Sequence, residues 1–147
     1  MPPLDRDDVT EVRASWREIA PHASWLGATF YDALFAADPS LVPLFGVNAR
    51  GEMGEQGGKL MQMLEVAVDG LADPSGLAAV LRALGERHAA YGVEDRHYRT
   101  VGDALLQTLA LGLGRRFTPA RERAWAAVYA TMAEAMISGA RRVEGHG

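Results

Sequence analysis

Apolar residues recur at intervals of three and four along most of the chain, which is the spacing of one face of an α-helix. Runs of this pattern are separated by clusters of Pro, Gly and Asp, such as Ala72 to Gly76, which are typical of helix boundaries. No segment shows a convincing alternation of apolar and polar residues, so no strand is predicted. The pattern therefore predicts an all-α fold of six or seven helices. The predicted helices are one through Val9, Val12, Trp16 and Ile19 with Asp7 or Asp8 as N-cap, one from Ser24 to Ala37, a short one from Asp38-Pro39 to Phe45, one through Leu60 to Leu71, one carrying His88, one from Arg96 to Leu113, and one from Thr118-Pro119 through Met136, with a loop at Gly46 to Gly54.

One histidine lies on the apolar side of a predicted helix. In the stretch LGERHAAYGV, Leu84 to Val93, His88 continues a stripe of leucines from the preceding turns. The spacing therefore predicts that His88 faces inward. By spacing alone it is either a core histidine satisfied by a hydrogen bond or the single axial imidazole of a metal held mainly by a macrocycle. Of the remaining histidines, His97 is expected to point outward, and His22 and His146 have no evident partner.

Tyr31 and Gln56 form a second pair of candidate polar groups. Tyr31 lies on a predicted helix that should be largely enclosed, and Gln56 lies in the first turn of a later one. In such positions a tyrosine is most often an amphipathic core residue and a glutamine is most often solvated. The two side chains gain a functional meaning only if a polar ligand lies between them.

Composition and missing motifs exclude many classes of function. The 147 residues suit one domain, and 48% apolar and 23% charged residues are ordinary for a globular protein. The absence of cysteine excludes disulfides, thiolate catalysis and cysteine-bound metals, and the net charge of −4 argues against a nucleic-acid surface. The chain has no GxSxG, GxxxxGK[ST] or HExxH motif. It also has no secretory signal and no uncharged apolar run of about 18 residues, so a cytoplasmic protein without a membrane span is expected.

Several segments together resemble the globins, over roughly Val9 to Gly139. LGERHAAYGV followed by HYRTVGDALLQTL resembles the proximal segment of a globin and the helix after it, and LGRRFTPARERAW resembles the junction before the last helix in neuroglobin-type chains. Trp16, Gly27, Pro39 and Phe45 also match family positions. The nearest resemblance is to bacterial single-domain globins related to flavohaemoglobin haem domains, and to neuroglobin. It implies the 3-over-3 helical sandwich with a short or absent fourth helix, in one domain over residues 1–147 with its core at 9–139 and a frayed tail at 140–147.

The resemblance also implies a haem b site and assigns its residues. His88 corresponds to the proximal iron ligand. Tyr31 and Gln56 correspond to distal residues that hydrogen-bond a bound ligand, with Phe45 and Leu60 keeping the pocket apolar. Lys59 is equally compatible with a haem propionate partner and with a solvated lysine. The full set implied to contact the cofactor is Phe45, Lys59, Leu60, Leu84, His88, Val93, Tyr98 and Val101.

Two departures from the related families bear on function. Neuroglobin-type chains carry a distal histidine that can bind the iron, whereas Gln56 is a poor iron ligand, so bis-histidine coordination is not expected here. Flavohaemoglobin haem domains pair the proximal histidine with a tyrosine and a glutamate. Tyr98 matches the tyrosine, but Ala140 stands where the glutamate is expected. The proximal histidine should then have less imidazolate character, which weakens the case for peroxidase-type chemistry.

The resemblance implies a protein that binds O₂, CO and NO, with tight O₂ binding and NO dioxygenation supported by an external reductase. An oxygen store, an oxygen carrier or a gas sensor without turnover is the alternative, and a haem-free helical interaction domain is a third. The protein is expected to be a monomer or a weak homodimer.

Overall fold

The computed structural model describes residues 4–45, 62, 64–90 and 92–146, and the regular structure in these residues is helical. The all-α prediction is therefore confirmed for this part of the chain. The helices are α1 Arg6–Ile19, α2 Ala23–Ala37, α3 with its described part at 64–70, α4 Pro74–Ala90, α5 Asp95–Leu113 and α6 Pro119–His146, with short 3-10 segments at Ala20–His22, Pro39–Phe45 and Gly114–Arg116.

The N-cap of α1 differs from the predicted one. Asp5, rather than Asp7 or Asp8, has the extended backbone of a cap, with φ −67° and ψ 131°. Its Oδ1 accepts the backbone N–H groups of Asp7 at 2.8 Å and Asp8 at 3.2 Å. Asp7 and Asp8 lie in the first turn, where their negative charges favour the positive end of the helix dipole.

The other boundaries lie close to the predicted ones. The segment Pro39–Phe45 forms, but as a 3-10 helix, and Asp38 at its start accepts the backbone N–H of Ser40. Helix α5 begins one residue before the predicted Arg96, and α6 begins at Pro119 as predicted. The backbone of α6 is helical through His146, past the predicted end of the core. The predicted loop from Gly46 to Gly54 lies outside the described residues.

Helix α6 is the central packing partner of the fold. It packs most extensively on α4 and also on α1 and α5, while α2 packs on α5. Trp125 of α6 is fully buried with its ring centroid 6.4 Å from that of Trp16, and its Nε1 donates to Ser15 Oγ at 2.8 Å. This buried contact fixes α1 against α6. The frame that results holds α2, α4 and α5, which carry the candidate site residues described below.

Within the described ranges, no helix is both long and apolar enough to cross a membrane.

Candidate functional site

His88 lies in the last turn of α4 and is half-buried. Its Nδ1 lies 2.9 Å from the carbonyl oxygen of Leu84, one turn earlier. Because a carbonyl only accepts, Nδ1 carries the proton of this hydrogen bond and Nε2 keeps its lone pair. Burial lowers the pKa of His88, which the hydrogen bond to Leu84 partly opposes. The side chain is therefore a neutral imidazole with its Nε2 available as a ligand.

The chain turns sharply just after His88. The backbone N–H of Gly92 bonds to Ala89 O and that of Val93 bonds to His88 O, both at 3.0 Å. Gly92 has φ 94°, a backbone conformation that side chains rarely adopt. This pair of hydrogen bonds around a left-handed glycine is the Schellman termination of a helix. The turn that it forms at Gly92 is called the corner below. It fixes the carbonyl of His88 itself and leaves Val93 half-buried at the start of the connection to α5.

The start of α5 is closed by a reciprocal cap between Glu94 and His97. The Glu94 side chain accepts the backbone N–H of His97, and Nδ1 of His97 accepts the backbone N–H of Glu94 at 2.9 Å. His97 is only 4% exposed, so the prediction that it points outward is wrong. The capping bond explains the difference, because it draws the ring back against the preceding turn rather than into solvent.

Tyr98 is buried on α5, and α6 holds its backbone in place. The hydroxyl of Tyr129 donates to Tyr98 O at 2.6 Å. The Tyr129 ring lies over Gly102, where an added Cβ would stand 2.6 Å from Tyr129 Cε2. Burial and nearby Asp95 raise the pKa of Tyr98, so its phenol remains protonated at neutral pH. Ala140 is buried as well, so α6 offers no carboxylate at that position.

Tyr31 is buried on α2 within an aromatic group. Its ring meets Phe30 edge-on at a centroid distance of 5.4 Å and stacks on Phe35 at 5.5 Å. Burial raises the pKa of Tyr31 to about 12. Its hydroxyl therefore keeps its proton at neutral pH and can act as a hydrogen-bond donor.

The structure describes part of the predicted site. His88, Leu84, Val93, Tyr98 and Val101 lie on the continuous segment formed by α4, the corner after it and α5, and all of them are buried or half-buried. Tyr31 comes from α2, which packs on α5. The candidates that lie outside the described residues are Gln56, Lys59 and Leu60, together with the side chain of Phe45.

Sequence reasoning missed the groups that hold these residues in place. The glycine at the end of the His88 pattern, Gly92, does carry a signal, because a helical stripe followed by Gly indicates a helix C-terminus. The bond from Tyr129 to Tyr98 joins residues far apart in the chain and has no local signal. Among the described residues no cluster of three or more His, Asp or Glu side chains could hold a metal ion.

Comparison with known proteins identifies the family of this chain. Residues 28–136 match the globin family, and the chain belongs to that family. It is 30% identical to neuroglobin of Dissostichus mawsoni over 149 aligned positions, which cover 95% of this chain and 94% of that protein. Neuroglobin of Chaenocephalus aceratus is also 30% identical, with the same coverage. The protein is therefore a haem-binding globin that takes small gas ligands such as O₂.

Proposed function

We propose that His88 is the axial ligand of a haem b and that the protein uses this haem to bind O₂, CO and NO. The observation that carries the proposal is the bond from His88 Nδ1 to Leu84 O, which orients the ring and leaves Nε2 as the coordinating atom. The haem, when bound, supplies reversible gas binding and one-electron redox chemistry. Leu84, Val93, Tyr98 and Val101 lie along the same segment and are proposed to contact the macrocycle.

The group that accepts the hydrogen bond from His88 Nδ1 affects the reactivity of a haem bound to this histidine. A backbone carbonyl polarises an imidazole less than a carboxylate does, and the described residues place no carboxylate next to the ring. Ala140 occupies the position where the resemblance leads one to expect a glutamate. A neutral imidazole of this kind favours gas binding over peroxidase-type bond cleavage.

Tyr31 is proposed to donate a hydrogen bond to the gas ligand. Its phenol is buried and stays protonated, so it is a donor at neutral pH. Gln56 is proposed as a second donor, with Phe45 and Leu60 as apolar walls and Lys59 near a haem propionate. Two such bonds in a dry site, each worth about 1–2 kcal/mol, would together slow O₂ release by roughly one and a half to three orders of magnitude. The proposed O₂ binding is therefore tight.

Tight binding of O₂ suits NO dioxygenation better than oxygen delivery. In this reaction NO, O₂ and one electron give nitrate, and the electron comes from an external, cytoplasmic reductase. The role of Tyr31 and Gln56 is to hold O₂ until NO arrives. Storage, transport or sensing of O₂ without turnover is the alternative function, and rapid O₂ release would favour it.

The first experiment is reconstitution with hemin, followed by absorption spectra of the ferric, dithionite-reduced and CO-bound protein. We expect a Soret band that is lost in His88→Ala and kept in His22→Ala, whose histidine is exposed in a 3-10 segment. A band unchanged in His88→Ala would overturn the assignment of His88. Two sharp visible bands in the reduced protein would show an internal sixth ligand and contradict the distal assignment.

The distal proposal is tested by stopped-flow measurement of O₂ dissociation. Tyr31→Phe should release O₂ about tenfold faster, because one donor is lost while the ring remains. Tyr129→Phe also removes a largely buried hydroxyl, but that hydroxyl is bonded to the α5 backbone, so O₂ release should change much less than in Tyr31→Phe. NO consumption with O₂ and a reductant then separates turnover from simple binding. Fast O₂ release in the unsubstituted protein, with no NO consumption, would contradict the proposed reaction.

A further inference from the structure

Two glycines bring the backbones of α4 and α6 into direct contact. A Cβ added at Gly85 would lie 2.7 Å from the Cα of Met136 and closer still to its carbonyl oxygen. A Cβ added at Gly139 would lie 2.8 Å from the Cα of Arg82 and closer still to its carbonyl oxygen. Cβ atoms essentially never come within 3.0 Å of such neighbours. The two helices therefore cross through a reciprocal pair of glycines, one on each helix. On each helix the glycine lies three residues from the residue that the other glycine contacts.

This crossing differs from the other tight glycine positions in what obstructs an added methyl group. At Gly102 and Gly112 the nearest atoms belong to side chains, those of Tyr129 and Ile19, which can rotate. At Gly85 and Gly139 the nearest atoms are backbone, so no rotamer change relieves the clash. Ordinary contact begins at 3.4 Å, so the helices would have to separate by about 1 Å or more.

The crossing lies directly beside the proposed iron ligand. Gly85 follows Leu84, whose carbonyl holds Nδ1 of His88, and it precedes His88 by three residues on the same side of the helix. The Schellman bonds at Gly92 end α4 two residues after His88. Gly85 and His88 lie within one turn of the same continuous helix, so a shift of α4 away from α6 should also displace the imidazole.

We propose that Gly85 and Gly139 are positioning residues that set where the His88 imidazole stands relative to the haem. This inference rests on the proposed role of His88 as the iron ligand. The pair acts through His88 and does not touch the reacting gas. Replacing either glycine should change the strain and strength of the iron–imidazole bond, in addition to any loss of helix packing.

The test compares Gly85→Ala and Gly139→Ala with Gly112→Ala, a glycine packed against Ile19 and Trp25 on other helices. The readouts are the iron–imidazole stretching band in resonance Raman spectra of the reduced protein and the rate of hemin transfer to an excess of a haem acceptor. We expect both crossing variants to shift or broaden the band and to lose hemin about 10- to 100-fold faster. Gly112→Ala should lose stability without either change. Equal bands in all the variants would overturn the proposal.

A second background separates positioning from packing. In His88→Gly with free imidazole as the iron ligand, the ligand is no longer attached to α4. Adding Gly85→Ala or Gly139→Ala to this background should then leave the iron–imidazole band unchanged. A shift of the same size in both backgrounds would show a general packing effect and overturn the proposal. Failure of both alanine variants to fold with hemin would also overturn it, in favour of a purely structural role.

The same variants distinguish this inference from the proposed function. If the spectrum of His88→Gly without imidazole equals that of the unsubstituted protein, His88 is not the ligand and the proposed function fails first. If the spectrum depends on His88 but the glycine variants leave the band unchanged, only the present inference fails.

Discussion

Substitution of Gly92 by alanine should loosen the corner that holds His88. Gly92 has φ 94°, and a left-handed backbone costs a residue with a Cβ about 1–2 kcal/mol. The strain acts on the two bonds that close α4, from Gly92 to Ala89 and from Val93 to His88. If the corner opens more easily by this amount, the fraction of time that His88 is unsupported rises roughly 5- to 30-fold. Hemin loss should accelerate by the same factor.

The matched control is Gly114→Ala, which has φ 57° and no atom within 4 Å of an added Cβ. Gly114 has ψ −124°, a combination with positive φ that favours glycine even more strongly, so the variant imposes a backbone penalty at least as large at the far end of α5, remote in sequence from His88. Both variants should have a lowered free energy of unfolding in denaturant titrations of the apoprotein, with Gly114→Ala lowered at least as much as Gly92→Ala. Only Gly92→Ala should speed hemin transfer to an excess of acceptor. Equal hemin loss from the two variants would refute the reasoning that the corner controls the ligand.

Three further substitutions test the packing around α6. Ser15→Ala leaves the fully buried Trp125 Nε1 without its acceptor and should lower the free energy of unfolding by about 1–3 kcal/mol in a urea titration, where a change below about 0.5 kcal/mol would contradict the bond. Tyr129→Phe should cost about 0.5–1.5 kcal/mol in the same assay, and an unchanged midpoint would show that its bond to α5 contributes nothing. The hydrogen bond from Arg121 lowers the pKa of Glu18, so this pair stabilises the fold above pH 4.5 and the contribution is lost as the pH falls through the lowered pKa. Glu18→Gln should therefore flatten the acid dependence of stability, and an unaltered pH profile would exclude the pair as its source.

Local sequence signals placed most of the helices. Helical spacing and proline positions predicted α5 to within a residue and the start of α6 at Pro119. The predicted cap of α1 was two or three residues too late, because three aspartates stand close together and the choice depends on which one adopts extended backbone. His97 was misplaced for a related reason. Its capping bond to Glu94 is a local alternative to solvation that helical periodicity does not register.

In the candidate site, too, local sequence predicted some features while others depend on packing. The stripe through Leu84 indicated that His88 faces inward, and the resemblance to globins assigned it a role. The orientation of its ring depends on a hydrogen bond to Leu84 O, within one helical turn. Its pKa depends on burial as well, which only the packed structure provides. Tyr31 was found as an enclosed tyrosine, but its raised pKa depends on how completely neighbouring helices cover it. Gln56 stays a prediction, since it lies outside the described residues.

The sequence by itself determined the helical class, the approximate helix ends and the family, because each depends on residues near one another in the chain. Only the tertiary structure decided that Trp125 pairs with Ser15, that Tyr129 holds the backbone of Tyr98, and that Gly85 meets the backbone of Met136 and Gly139 that of Arg82 across the α4–α6 crossing. These contacts join helices distant in sequence, and which residues meet is set by how whole helix faces pack. The local sequence around a glycine or a serine does not indicate which distant residue it will contact.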